Sequence, residues 1–235
     1  MPVRRAPPIA NRLLSSLPAS EYRRLSPLLE LVTLEFGDVL CKSGNKIEHV
    51  YFPNAGIISL LFPTDDKALL EVGLVGREGM FGVPVALGLS VSPAQALVQG
   101  KGSAMRMRSA PFRSIVKQCA HLQLALHEHT YSLLRQITQT AVCNTFHQAE
   151  ARLARWLLST GDRMRSNDFM LTQAFLADML GVQRPRVSAA ASGLQRRRLI
   201  SYSRGQVSIL NRSKLEAAAC SCYRATNKIY RDALR

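Results

Sequence analysis

Seven residues in the last third of the chain carry side chains suited to recognising a polyanion: Thr172, Gln173, Arg184, Arg186, Ser188, Ala189 and Arg204. A guanidinium can donate two parallel hydrogen bonds to O6 and N7 of guanine, which discriminates that base by about 1–3 kcal/mol. Arg184 is the first candidate for that role, with a plain phosphate contact as the alternative. Arg186 is a second reader or a phosphate anchor. Thr172, Gln173 and Ser188 offer short donors of the kind that meet phosphate oxygens. Ala189 offers only apolar contact, for example to a thymine methyl. Arg204 suits a phosphate or the minor groove. This is binding chemistry; no catalytic residue is assigned. No Ser/His/Asp set, phosphate loop or metal-ligand set is legible. Glu71 and Glu78 flank a Gly-rich stretch, where turn and surface roles serve equally well.

The elements that must position these residues lie between Leu171 and Val207. Thr172 is a good N-cap, because its hydroxyl can accept from free first-turn amides. Phe175, Leu176, Met179 and Leu180 recur at helical spacing, and Gly181 is a helix stop. A second helix can start at Gln183-Arg184-Pro185, since proline is tolerated where amides lack partners. Val187, Ala190, Ala191 and Leu194 give it a narrow buried face, with Arg184, Arg186 and Ser188 away from that face. Arg196, Arg197 and Arg198 close it; consecutive helical positions cannot all face one partner, so one or two of them suit phosphate. Leu199–Tyr202 and Gln206–Ile209 read as strands around Ser203-Arg204-Gly205. Helix, turn, helix and two-stranded wing make a winged helix-turn-helix, whose second helix is the one laid in the major groove. The same pattern can also serve protein contacts alone.

Charge supports the nucleic-acid reading. The net charge is +15, and residues 145–235 hold 16 Lys and Arg against 6 Asp and Glu, so the excess concentrates where the helix-turn-helix lies. No apolar run approaches the ~20 residues of a membrane span, and no signal-peptide core follows Arg4 and Arg5, so a cytoplasmic location is expected. Five scattered cysteines, Cys41, Cys119, Cys143, Cys220 and Cys222, do not form a disulfide framework. Cys220-x-Cys222 could be a redox pair or half a metal site, but no partners stand nearby in sequence. Buried thiols are the favoured reading, and no metal site is assigned.

The chain is expected to be α+β. Residues 1–10 form a disordered arm. A helix starts near Asn11 and another near Ser20, whose hydroxyl can cap it. Short β-type runs separated by turns then occupy Val32–Phe36, Val50–Phe52, Ile57–Phe62, Leu69–Val75 and Gln95–Val98, with turns at Pro53–Gly56 and Pro63–Asp66. They predict a jelly-roll barrel, within a sensor domain of residues 11–120. A long helix covers residues 121–145. Its Leu126, Thr130, Leu133, Ile137 and Thr140 form a short seam fit for dimerisation, or for packing on its own barrel. Residues 146–220 hold the winged domain, opened by a helix over Phe146–Thr160, and 221–235 a C-terminal tail.

Barrel, long helix and winged helix in that order resemble the Crp/Fnr family of bacterial transcription regulators. EFGDVLCKSGNKIEHVYFPNAGIISLL resembles the family's first strands, EVGLVGREGMFG the approach to its ligand cassette, FHQAEARLARWLL the opening of its DNA-binding domain, and LTQAFLADMLGVQRPRVS its recognition unit. The resemblance implies a homodimer on an inverted repeat of double-stranded DNA, with RNA polymerase as a further partner. It also implies that Arg184 stands where the family places its guanine-reading arginine, while Pro185 and Ala189 depart from the acidic and second arginine positions. In cyclic-nucleotide-binding members the cassette carries Gly-Glu for the ribose and Arg-Ser for the phosphate. Here those places read Gly82-Val83 and Pro93-Ala94. Losing the arginine removes a charge-assisted bond of ~1.5–3 kcal/mol, so usual cyclic AMP binding is not expected. Iron–sulfur members need an N-terminal cysteine cluster, and only Cys41 is present there. His49, His121, His127 and His129 are haem-ligand candidates by type only; surface or dimer-interface roles are favoured. No cofactor is assigned and the effector is left open.

Overall fold

The computed structural model describes residues 10–64 and 68–233. The expected arm falls almost wholly outside them, as does part of the turn at Pro63–Asp66. Helix α1 (Arg12–Ser15) is capped by Asn11, whose side chain accepts from the Leu14 amide and donates to the carbonyls of Pro53 and Gly79. Helix α2 (Ala19–Leu25) begins after Pro18, with no side-chain cap; Ser20 sits inside its first turn, not at its cap. Strands β1 (Glu30–Leu34), β2 (Val39–Cys41), β3 (His49–Pro63), β4 (Leu69–Val75) and β5 (Gln95–Arg108) pair antiparallel in the order β1-β5-β3-β4, with β2 also on β5. A short helix α3 (Val83–Ala86) precedes β5, and α4 (Ser109–Val116) follows it.

Two features differ from the sequence expectation. The sheet does not close into a barrel; β1 and β4 remain its ends. The runs Val50–Phe52 and Ile57–Phe62 are one strand, not two. The Pro53–Gly56 segment expected to turn is absorbed as register shifts against β5. Gly56 makes this possible: at φ 88° it presses so close to β5 that a Cβ would sit 2.4 Å from the Gly100 carbonyl oxygen. A bulge bends the strand there without ending it.

Helix α5 (Ala120–Phe146) runs on from the sheet domain. Its face of Leu122, Leu126, His129 and Gln136 is buried within the chain itself. Gln136 holds Leu74 through both amide atoms, at 2.5 and 3.1 Å. Leu133 and Ile137 lie over Gly73, where a Cβ would come within 3.2 Å of Leu133. Of the two uses open to the seam, packing on its own sheet is seen within the chain: Leu126 is a core residue and Leu133 and Ile137 pack on the sheet, while Thr130, Leu133, Ile137 and Thr140 stay half-exposed. Smallness at Gly73, invisible as a signal in the sequence, lets the helix approach this closely. The large exposed apolar residues of α5 are Leu124, Tyr131, Leu134, Val142 and Phe146.

The second core is built by α6 (Ala149–Met164), β6 (Asp168–Met170), α7 (Gln173–Leu180), α8 (Arg184–Arg196), β7 (Ile200–Ser203), β8 (Gln206–Ile209) and α9 (Arg212–Ala218), around Leu153, Trp156, Leu157, Leu176, Val187 and Leu194. The expected tail is instead a helix, α10 (Cys222–Asp232), packed back on α5 and α6. Its buried Tyr223, Thr226, Ile229 and Tyr230 recur at helical spacing, and the Arg163 guanidinium lies 4.5 Å above the Tyr230 ring. No helix among the described residues is long and apolar enough to cross a membrane.

Candidate nucleic-acid interface

Helix α7 starts as its sequence dictates. Thr172 Oγ1 accepts from the Phe175 amide at 3.1 Å. The helix ends at Gly181 in the left-handed region, φ 59°, where a Cβ would lie 2.5 Å from Leu70. Gln183, in extended conformation, precedes α8, and Pro185 occupies a first-turn position. Val187, Ala190, Ala191 and Leu194 are buried, which leaves Arg184, Pro185, Arg186 and Ala189 exposed and Ser188 half-exposed. Two arginines thus stand at a helix N-terminus, where free amides and the dipole already favour an anion.

The wing is a hairpin with a two-residue turn. Arg204 (φ 49°) and Gly205 (φ 83°) both have positive φ, as the turn that matches strand twist requires. Strand β6 adds a third strand beside β8. The wing is tied to the reading helix by Gln195 Nε2 donating to the Tyr202 carbonyl (3.2 Å), and to the start of α7 by the Tyr202 hydroxyl donating to the Leu171 carbonyl (2.9 Å).

These contacts bring Thr172, Gln173, Ser188 and Arg204 to one groove, between α8 and the wing. Ser192, Gln195 and Tyr202 share its wall and are not singled out by the sequence reading. Ser192 and Gln195 continue the Ser188 face at four- and three-residue steps, a signal that the sequence does contain. Arg184 lies elsewhere, in a hollow shared with Leu69, Leu70, Arg152 and Asp178. Burial pushes the Asp178 carboxyl up, and nearby Arg184 counters this. Of the arginine run, Arg197 pairs with Glu150, Arg198 turns the chain at φ 54°, and Arg196 is exposed.

A second polar assembly joins the sensor sheet to α6. Trp156 Nε1 donates to Glu71 Oε1 at 2.9 Å. Glu71 Oε2 lies 2.9 Å from Ser59 Oγ, which is 2.5 Å from Gln99 Oε1, and Gln99 Nε2 donates to Thr160 Oγ1. A serine hydroxyl has one hydrogen, so it cannot donate to both oxygens. A protonated Glu71 donating to Ser59 satisfies the chain. Burial likewise pushes the Glu71 carboxyl up to about 7, against the lowering effects of Ser59, Arg155, Trp156 and Arg163. Glu78 forms a buried pair with Arg163 at 3.3 Å. The surface role open to Glu71 and Glu78 in the sequence therefore does not hold, since both are buried at the contact between the two halves; Glu78 does stand in a turn, where its carboxylate also accepts from the Gly76 amide at 3.2 Å.

At the ligand-cassette positions, Gly82 (φ 115°) lies against Val50, Val83 opens α3 as a buried residue, Ala94 is buried and Pro93 is exposed. Among the histidines, His129 is no surface residue: it is buried, its Nε2 is 3.0 Å from the Met80 carbonyl, and burial lowers its pKa.

The fold is similar to that of Crp/Fnr regulators of known structure, and this surface lies on its helix-turn-helix. Residues 151–218 match the Crp-like helix-turn-helix domain family, and that segment belongs to it. Among solved structures, FixK2 from Bradyrhizobium japonicum is 16% identical over 82% of this chain and 98% of its own, with a TM-score of 0.66. A CRP-family transcriptional regulator from Thermus thermophilus is 18% identical over 80% and 96%, with a TM-score of 0.68. The c-di-GMP-responsive global regulator CLP of Xanthomonas campestris is 14% identical over 82% and 99%, with a TM-score of 0.67. At these identities the likeness is one of fold. No curated protein matched the chain.

Proposed function

We propose that the protein acts as a homodimer that reads an inverted DNA repeat without needing cyclic AMP. The observation that carries the DNA reading is the α8–wing groove, with Thr172, Gln173, Ser188 and Arg204 converging on it and Arg184 and Arg186 exposed at the start of α8. Two copies of α8 about 34 Å apart would enter successive major grooves. With Leu126 and its neighbours engaged in their own protomer, the pairing surface is the exposed stripe of Leu124, Tyr131, Leu134 and Val142. Val83 and Ala94 place buried apolar side chains at the cassette positions, which supports a sensor domain that does not take cyclic AMP in the usual way. RNA polymerase is the further partner that the architecture suggests.

Selection of genomic fragments by the purified, ligand-free protein at near-physiological salt tests this reading. Recovery of a two-fold symmetric site is expected. Recovery of random, salt-sensitive DNA alone would show that the competent state needs an effector. Micromolar cyclic AMP binding in calorimetry would overturn the account of the cassette.

A further inference from the structure

Cys143, His147, Cys220 and Cys222 come together at the joint between the long helix and the DNA-binding half. Their four donor atoms all lie within 4.8 Å of one another. Cys143 Sγ is 3.5 Å from Cys220 Sγ, and Cys222 Sγ is 3.5 Å from His147 Nδ1. All three cysteines are buried and His147 is half-buried. We infer that these four side chains form a site for a single zinc ion.

The spacing suits that ion. Zinc bonds of about 2.3 Å to sulfur and about 2.0–2.1 Å to nitrogen, arranged tetrahedrally, place neighbouring sulfurs about 3.8 Å apart and sulfur and nitrogen about 3.5 Å apart. Three thiolates and an imidazole form one of the closed donor sets of structural zinc, and soft sulfur ligands exclude magnesium and calcium. The backbone presents the donors as two pairs. Cys143 in the last turn of α5 and His147 at its C-cap are four residues apart, on one face. Cys220 and Cys222 flank Ser221 at the start of α10, in a turn held by the Cys220 amide to Ala151 and the Tyr223 amide to the Cys220 carbonyl.

The surroundings also fit. Gln139, one turn before Cys143, donates Nε2 to Cys222 Sγ at 3.0 Å, the kind of outer hydrogen bond that orients a metal-bound sulfur. Three thiolates and a neutral histidine around Zn²⁺ carry one net negative charge. Arg155 is close enough to act electrostatically on both Cys143 and Cys220, and its buried Nε has no hydrogen-bond partner. It supplies the countercharge. On binding, each cysteine gives up its thiol proton to solvent and no electrons move. The bound ion then fastens the start of α10 to the end of α5, across the His147–Gln148 joint from which α6 departs.

The test is metal analysis of the full-length protein purified under reducing conditions, with cobalt substitution as a spectroscopic reading of geometry. One zinc per chain is expected, together with a tetrahedral thiolate–cobalt spectrum. Cys222→Ser should lose most of the metal, whereas Cys41→Ser, in the sensor sheet, should keep it. Because Cys222→Ser could unfold the joint, cobalt titration of chelator-treated, still folded wild-type protein gives an independent answer. Substoichiometric zinc and no tetrahedral cobalt spectrum in that folded, reduced protein would overturn the site. So would equal metal loss in Cys41→Ser and Cys222→Ser.

Discussion

The DNA-binding half uses arginine in two opposite ways. Arg184, Arg186 and Arg204 are exposed at the first turn of α8 and the tip of the wing. Arg152, Arg155 and Arg163 project from one side of α6 and are almost wholly buried. The exposed set keeps its hydration until a polyanion replaces it, so its energetic effect appears on binding and falls with salt. The buried set has already lost its water and must be compensated inside the chain. Arg152 donates to Asn144 Oδ1 at 2.7 Å and to the Leu180 carbonyl. Arg163 meets Glu78 and the Ser159 carbonyl and covers Tyr230. The exposed set is the one proposed to recognise a partner; the buried set fixes how the helix-turn-helix domain sits against the sheet and the long helix.

The contrast breaks most sharply at Arg163. Arg163→Met should leave Glu78 buried without its cation and destabilise the fold by about 3–5 kcal/mol. Chemical denaturation measures this, and adding Glu78→Gln should recover much of the loss. If Arg163→Met unfolds at the wild-type midpoint, the pair does not hold the halves together. Glu71 should give the next largest effect, one that depends on pH. Below 4.5, the ordinary carboxyl value, the group is neutral folded or unfolded; between there and about 7 only the unfolded chain ionises. Stability should therefore fall as pH rises through this window, by on the order of 3 kcal/mol, and level off above it. Glu71→Gln keeps both contacts, its carbonyl accepting from Trp156 and its amide donating to Ser59. It should match wild type near pH 4.5 and exceed it at pH 8. Parallel stability–pH curves for the two proteins would remove Glu71 from the account.

How much of this is legible in the sequence follows the same division. The surface elements are written locally: Thr172 as cap, Gly181 as stop, Pro185 in a first turn and Arg204-Gly205 as a hairpin turn each act within a few residues of themselves. The buried network is not local. Glu71 meets Trp156 across 85 residues, and Cys143 meets Cys220 across 77. Spacing along the chain carries no trace of either meeting. The long helix shows both cases. Its 3–4 periodicity is plain, yet which partner the Leu126 face meets depends on Gly73 in a distant strand. Helix α10 differs again: the apolar spacing that defines it is present in the sequence, and the reading of a tail overlooks it.

For the exposed set the expected effects are smaller and lie in binding. Arg184→Ala should relax discrimination by about 1–3 kcal/mol, seen as a narrowing gap between the selected site and random DNA. Equal weakening of both would assign Arg184 to phosphate, a role consistent with its place beside Asp178 and away from the wing groove. Arg204 should give the smallest effect and the least specific one. Its side chain leaves the wing at a turn position with φ 49°, outside any helix that could aim it at a base edge. Arg204→Asn tolerates that conformation while removing the charge, because asparagine visits the left-handed region readily. It should weaken binding to all sequences alike and lower the salt slope by roughly one phosphate contact. Since the hairpin is kept in this variant, a loss of sequence preference could not be blamed on a collapsed wing, and would instead move Arg204 from the phosphate-binding set into the reading set.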